Sequence, residues 1–260
     1  CRTLDLDGLA RERVMGEMEK ALTRSRRPSR CFEALREMGQ LEPWLKEVAA
    51  LIGVKQRADC HPEGDAWTHT MLVVDEAAKL RDEAKNPTGL MLAALLHDVG
   101  KAAAMQEKDG VIHAYGHETA GVPLAEDFLR RLTGEKALCR YVLNMVELHM
   151  KPNMYAAQNS GQKAWNRLFD RSACPEDLLL LAKADHRGRI NAAPYAETER
   201  TIRARLSVFE EMMAEPHITG ADLLARGIQP GEEMGRLLEE AHRLRLAGVK
   251  KKDALRQMRL

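Results

Sequence analysis

Aromatic side chains are scarce in this sequence, at 4% of its 260 residues. That scarcity argues against a sheet-built core, which draws on aromatic and β-branched residues. Cysteines number only five (Cys1, Cys31, Cys60, Cys139 and Cys174), and they are scattered with no CxxC pair. An odd, dispersed set excludes a disulfide framework and fits a reducing, cytoplasmic setting. Neither sign of charge dominates, the formal net charge being +1. No global field therefore steers the chain to nucleic acid or to a membrane. No apolar run is long enough to span a bilayer, and no signal peptide is legible. The chain opens on Cys1 rather than methionine, as a fragment would. Internal repeats and low-complexity stretches are also missing.

Leu, Ala, Glu, Arg, Lys and Met are plentiful instead, the composition of an all-α protein. The length suits one large domain or two small ones. Apolar spacing of i, i+4, i+7 predicts a first helix over 9–22. Short helices follow over 32–38 and 44–52, stopped by Gly39 and Gly53. Asp65 is placed to cap a helix over 66–82 that carries His69. Pro87-Thr88-Gly89 resets the chain into a helix that starts at Leu90 and is apolar on every side, as a fully buried helix is. The stretch 102–116 reads as a loop with a turn at Asp109-Gly110 and a minor hairpin. Helices are predicted over 118–132, 137–148, 163–170, 176–184 and 196–213, with Lys151-Pro152 stopping the second. A separate small helical unit closes the chain, opened by a Thr219/Asp222 capping box.

The central buried helix ends in His97-Asp98, with Gly100 as its stop. A histidine and a carboxylate buried there are costly unless something pairs with them, and a divalent metal would satisfy both. Other polar residues recur in the same kind of place. His69, His117, His149 and Asp185 mostly stand at helix boundaries beside strongly apolar runs, each separated from the next by about one helix and a connection. That spacing suits ligands converging from neighbouring helices of one bundle. Four imidazoles and two carboxylates form a mixed N/O set, too rich for a single tetrahedral zinc. Two ions sharing a carboxylate fit better, with Asp98 as the bridge. Asp5-Leu6-Asp7 is rejected as a paired-carboxylate site, because no Gly-Ser loop precedes it and a helix follows at once.

The order H…HD…H…H…D resembles the HD-domain metal-dependent phosphohydrolases. The flanking residues resemble more closely the C-terminal, HD-containing half of bacterial CCA-adding tRNA nucleotidyltransferases. Those residues are His61-Pro62-Glu63-Gly64-Asp65 with His69-Thr70, His97-Asp98-Val99-Gly100-Lys101, Gly116-His117-Glu118 and 184–189, ADHRGR. The resemblance covers nearly the whole chain. It implies a helical neck over 1–60, an HD metal-binding domain over 61–215 and a helical tail over 216–260. It also implies a nucleotidyltransferase head upstream, whose activity is not carried over to this polypeptide.

Residue by residue, the resemblance makes His69, His97, Asp98 and Asp185 core metal ligands, with His117 and His149 the additional ligands of two-metal members. Lys101 matches a basic residue that contacts substrate phosphate, and Arg187 and Arg189 are placed to hold a second phosphate oxygen. Asp98 and Lys101 are the residues expected at the chemistry itself. His61 and His113 match no ligand position and read as loop and surface residues. The expectation is a hydrolase of phosphoesters using one or two divalent ions (Mn, Fe, Co, Ni, Zn or Mg), with nucleotides, 2′,3′-cyclic phosphates or RNA 3′ ends as substrates. The alternative is a tRNA-binding body and tail without hydrolytic activity, motivated by the basic residues Arg24, Arg26, Arg27 and Arg30 and by Lys250–Lys252. A di-iron oxygenase is a third reading.

Overall fold

A computed structural model gives the fold and describes residues 6, 8–42, 44–57, 59, 61–108 and 111–260. Cys1, Cys60, the Asp5/Asp7 pair and the Asp109-Gly110 turn lie outside the described residues. The chain groups into two compact units, Cys1–Met154 with Ser172–Glu199, and Tyr155–Arg171 with Arg200–Leu260. No described helix is long and apolar enough to cross a membrane.

The first unit is helical, with one small sheet. Helices α1 (Arg11–Arg24), α2 (Ser29–Glu37) and the one-turn α3 (Lys46–Ala49) lead to α4 (Ala66–Leu80). Asp65 caps α4 by accepting from Thr68 N–H at 2.9 Å. The apolar helix α5 begins earlier than expected, at Pro87 rather than Leu90, and runs to Leu96. Proline suits a first helical turn, where its missing N–H is not needed, and Asn86 caps that turn by accepting from Gly89 N–H at 2.9 Å. Every α5 side chain from Leu90 to Leu96 is sealed from solvent. The reason is packing on several sides at once, by α1, α4, α8 (Lys136–Leu148) and α11 (Pro175–Arg187).

After a turn at 97–100 comes the short α6 (Lys101–Ala104), where a loop was expected. A hairpin of β1 (Gln106–Lys108) and β2 (Val111–His113) follows, pairing Gln106 with His113 and Glu107 with Ile112. Its first strand is polar, so backbone pairing rather than an apolar face defines it. Helix α7 (His117–Leu132) packs on both α6 and α8. Pro152 does not stop the chain as expected. It lies within α9 (Met150–Ala157), at the third position, where a helical N–H has no intrahelical partner to lose.

The second unit holds α10 (Gln162–Arg171), most of α12 (Ala196–Ala214), α13 (Gly220–Leu224), α14 (Glu232–Leu246) and α15 (Lys251–Gln257). Trp165, Phe169 and Phe209 form a chain of ring contacts within it, at 5.5 Å and 5.6 Å between successive centroids. Ile218, Leu223, Ala241 and Ala254 make a further core, and the Thr219/Asp222 capping box is present. Within the first unit α1 packs on α4 and α5 and α2 packs on α4, and within the second α10 packs on α14.

Asp177, fully buried on α11, ties the entry of α5 in place. Its carboxylate accepts from Lys85 N–H (2.8 Å), Asn86 N–H (2.9 Å) and Tyr141 O–H (2.6 Å). Asp177→Ala strands three part-buried donors and is expected to lower unfolding free energy by about 2–4 kcal/mol. Urea titration of the variant checks this; an unchanged midpoint would show that the anchor carries no weight.

Candidate metal centre

Six side chains from five helices and their ends meet in the first unit, and all six are buried. His69 comes from α4, His97 and Asp98 from the turn after α5, His117 from the start of α7, His149 from the end of α8 and Asp185 from α11. Two glycines position them. A Cβ on Gly100 would stand 2.0 Å from the His117 carbonyl oxygen, so only glycine lets the start of α7 close on the His97-Asp98 turn. Gly116, at φ +75°, supplies the left-handed residue that swings the chain from the hairpin into α7.

Backbone carbonyls decide which nitrogen of each ring carries the proton. Nδ1 of His97 donates to Ala94 O at 2.8 Å, Nδ1 of His117 to Ala114 O at 2.8 Å, and Nδ1 of His149 to Val146 O at 2.7 Å. A carbonyl only accepts, so each neutral ring presents an unprotonated Nε2 to the centre. For His69 the same task falls to Glu63, whose Oε1 lies 2.7 Å from Nδ1. Glu63 also accepts from His61 Nδ1 at 2.8 Å. Burial pushes the Glu63 carboxyl up, but those two imidazoles outweigh it and hold it at about 2.

The result is a set of acceptors facing acceptors. His69 Nε2 is 3.1 Å from Asp185 Oδ1, and His117 Nε2 is 3.4 Å from His149 Nε2. His97 Nε2 lies 3.2 Å from Asp98 Oδ2 with no hydrogen-bond partner. Asp98 turns its two oxygens to different neighbours. Oδ1 faces His117 at 3.2 Å and His149 at 3.7 Å, while Oδ2 faces His97 and, at 3.8 Å, His69. Two ligand groups result, His69/His97/Asp185 and Asp98/His117/His149. Only a proton or a metal ion can stand between such pairs, and the orphaned buried atoms fit a metal.

The electrostatics follow the same geometry. Burial works to raise Asp98, but the neighbouring His97, Lys101 and His117 together hold it well below the carboxylate range. Asp185 is held down likewise against burial, by His69 and Arg189. Burial lowers His69 and His117, yet the adjoining carboxylates outweigh it and raise both. His149, where burial wins, is lowered. One member of the His117/His149 pair thus holds a proton more readily than the other.

The centre forms the buried end of a cavity of about 380 Å³. Lys101 enters it, its Nζ 2.6 Å from Asp98 Oδ2 and 2.5 Å from Gln56 Oε1. Arg189 also lines it, with Nη2 3.5 Å from Asp185 Oδ2. Arg187 does not. It ends α11 exposed and outside the cavity lining, because a residue two positions from Asp185 points about 200° around the helix. His61 and His113, read as loop and surface residues, both line the cavity. Glu63 and Gln56 carry no expected role in the sequence reading. Glu63 belongs to the His61–Asp65 turn, bent at Gly64 (φ +108°), so helical periodicity cannot reveal it.

The HD domain model matches residues 66–247. The chain belongs to the HD-domain family. Among curated proteins this HD chain is 36% identical over 253 residues to the Multifunctional CCA protein of Burkholderia cenocepacia (strain HI2424), covering 94% of the chain and 57% of that protein. It is 33% identical over 254 residues to the Multifunctional CCA protein of Actinobacillus pleuropneumoniae serotype 5b, covering 95% of the chain and 58% of that protein. The HD chain thus spans somewhat over half the length of the relatives it matches, 57% in the first case.

Two outcomes test the centre as a metal site. Glu63→Gln leaves His69 Nδ1 without its carboxylate and is expected to weaken Mn or Ni binding 10–100-fold, read by calorimetry. Unchanged affinity would remove Glu63 from the centre. His69 and His117 have raised pKa values, so without an ion their stabilising contribution is present at low pH and lost as pH rises through those values. Metal needs the neutral rings, so its affinity is expected to climb as pH rises through and above the ordinary histidine range. A pH-independent metal affinity contradicts ligation by these imidazoles.

Proposed function

We propose that this chain is a metal-dependent phosphohydrolase of the HD type, acting on nucleotides, 2′,3′-cyclic phosphates or RNA 3′ ends. One observation carries the reading: six buried ligand groups converge beside a lysine at the closed end of a cavity. His69, His97, Asp98, His117, His149 and Asp185 hold one or two divalent ions, with Mn, Fe, Co, Ni, Zn and Mg all compatible with N/O donors. A divalent ion in such a site lowers the pKa of water towards neutrality and screens phosphate charge.

The chain's own residues supply the rest. Lys101 is anchored by Asp98 and Gln56, which leaves its third ammonium proton for a phosphate oxygen. Arg189, whose Nε has no hydrogen-bond partner, keeps donors for a second oxygen. Both cations then stabilise charge on the phosphate oxygens as it develops. The buried carboxylates Asp98 and Asp185 stay ionised throughout, so they compete with phosphate for neither proton nor position.

A second reading is favoured by a separate observation. Arg24, Arg26, Arg27 and Arg30 are all exposed, and the relatives are CCA proteins. In that reading the chain holds the body of a tRNA and the histidine-carboxylate set is structural.

The test is hydrolysis of a nucleoside 2′,3′-cyclic phosphate and of bis(p-nitrophenyl) phosphate with Mg, Mn, Co, Ni or Zn. Metal-dependent turnover is expected, with a loss of at least about 10³-fold in Asp98→Ala. No Asp98-dependent turnover, together with salt-sensitive tRNA binding that survives Asp98→Ala, replaces the hydrolase by the tRNA module.

A further inference from the structure

The cavity is two-sided in its chemistry. Its buried end is ionic, built from Asp98, Asp185 and Lys101, whereas its outer wall is apolar, with Met105, Ile112, Met150 and Met154. At the mouth stands Tyr115, which is 83% exposed and is by far the most exposed large apolar side chain among the described residues. Its ring stacks on His113, with centroids 4.8 Å apart and planes at 16°. One face of the tyrosine is therefore backed by a second flat ring, and its exposure leaves the remainder of the ring to solvent.

An exposed tyrosine backed in this way serves no core. It is also tethered close to the centre. Tyr115 is two residues from His117, and the intervening Gly116 stands at φ +75°. His117 is pinned to Ala114 O by its own Nδ1. The short segment 113–117 thus carries an aromatic shelf at one end and a ligand group at the other. A molecule that spans them needs a phosphate at one end and a flat, weakly polar ring system at the other.

We infer that Tyr115, backed by His113, is the base-stacking shelf of this cavity and selects nucleotides over simpler phosphate esters. The inference rests on the phosphohydrolase reading for the identity of the ionic end as a phosphate site. Stacking of a base on an aromatic side chain is sequence-tolerant, and its loss costs about 10-fold or more in affinity. The shelf therefore accepts several bases, favouring purines for their larger ring area, and holds sugar phosphates more weakly.

Calorimetric titration with adenosine monophosphate and with ribose 5-phosphate tests the shelf without requiring turnover. Adenosine monophosphate is expected to bind the unmodified protein at least about 10-fold tighter than ribose 5-phosphate. Tyr115→Ala is expected to abolish that preference while leaving ribose 5-phosphate affinity unchanged, and Tyr115→Phe to retain it. Because Tyr115 is exposed, truncating it opens no cavity in the core. Equal affinities for the two ligands in the unmodified protein overturn the inference. So does a Tyr115→Ala variant that weakens both ligands alike. If the base preference stands but Asp98-dependent hydrolysis is absent, the shelf survives and the hydrolase reading fails.

Discussion

Lone pairs point at lone pairs in the interior of the first unit. Three imidazoles give their Nδ1 protons to backbone carbonyls and a fourth gives its proton to Glu63. What remains is four Nε2 acceptors crowded around the carboxylates of Asp98 and Asp185, away from water. Buried acceptors that face one another are unfavourable unless a cation lies between them. The proton distribution expresses this tension: His69 and His117 are driven up, His149 down, and both aspartates are held ionised against burial. A divalent ion resolves all of these contacts at once, which protons do only in part.

The surrounding fold keeps those acceptors together. Helix α5 is apolar on every face and sealed on several sides, so the turn at 97–100 has no room to retreat. Asn86 and Asp177 fix where that helix begins, and Gly100 admits the start of α7 to backbone contact with the turn that follows it. Asp98 then presents one oxygen to the His117/His149 side and the other to the His69/His97 side. A rigid apolar scaffold with its polar groups confined to helix ends is the arrangement that holds ligand geometry without relying on loops.

The helices and the six convergent residues were legible because both follow from periodicity and burial. An all-apolar run ending in His97-Asp98 announces a buried polar pair, and helix-length gaps bring the partners to one end of a bundle. Glu63 was not legible as a partner of His69, because a glycine-bent turn rather than a helix face joins them. Arg187 shows the opposite failure: adjacency in sequence to Asp185 placed it at the site, and the helical angle turned it to solvent. The start of α5 was misplaced because Pro87 and Gly89 look like breakers in sequence, while Asn86 converts them into a capped first turn. Tyr115 and His113 gave no periodic signal at all, since a two-stranded hairpin and a left-handed glycine set their position.

The most direct test is the metal content and thermal response of the chain itself. Protein stripped with a chelator and then titrated with Mn, Co, Ni or Zn at pH 8 should take up one or two equivalents and unfold at a higher temperature, with the gain lost in His117→Ala. The increase follows from preferential binding to the folded state. Protein that takes up no ion, or whose unfolding temperature is indifferent to every divalent metal, would contradict the account at its centre.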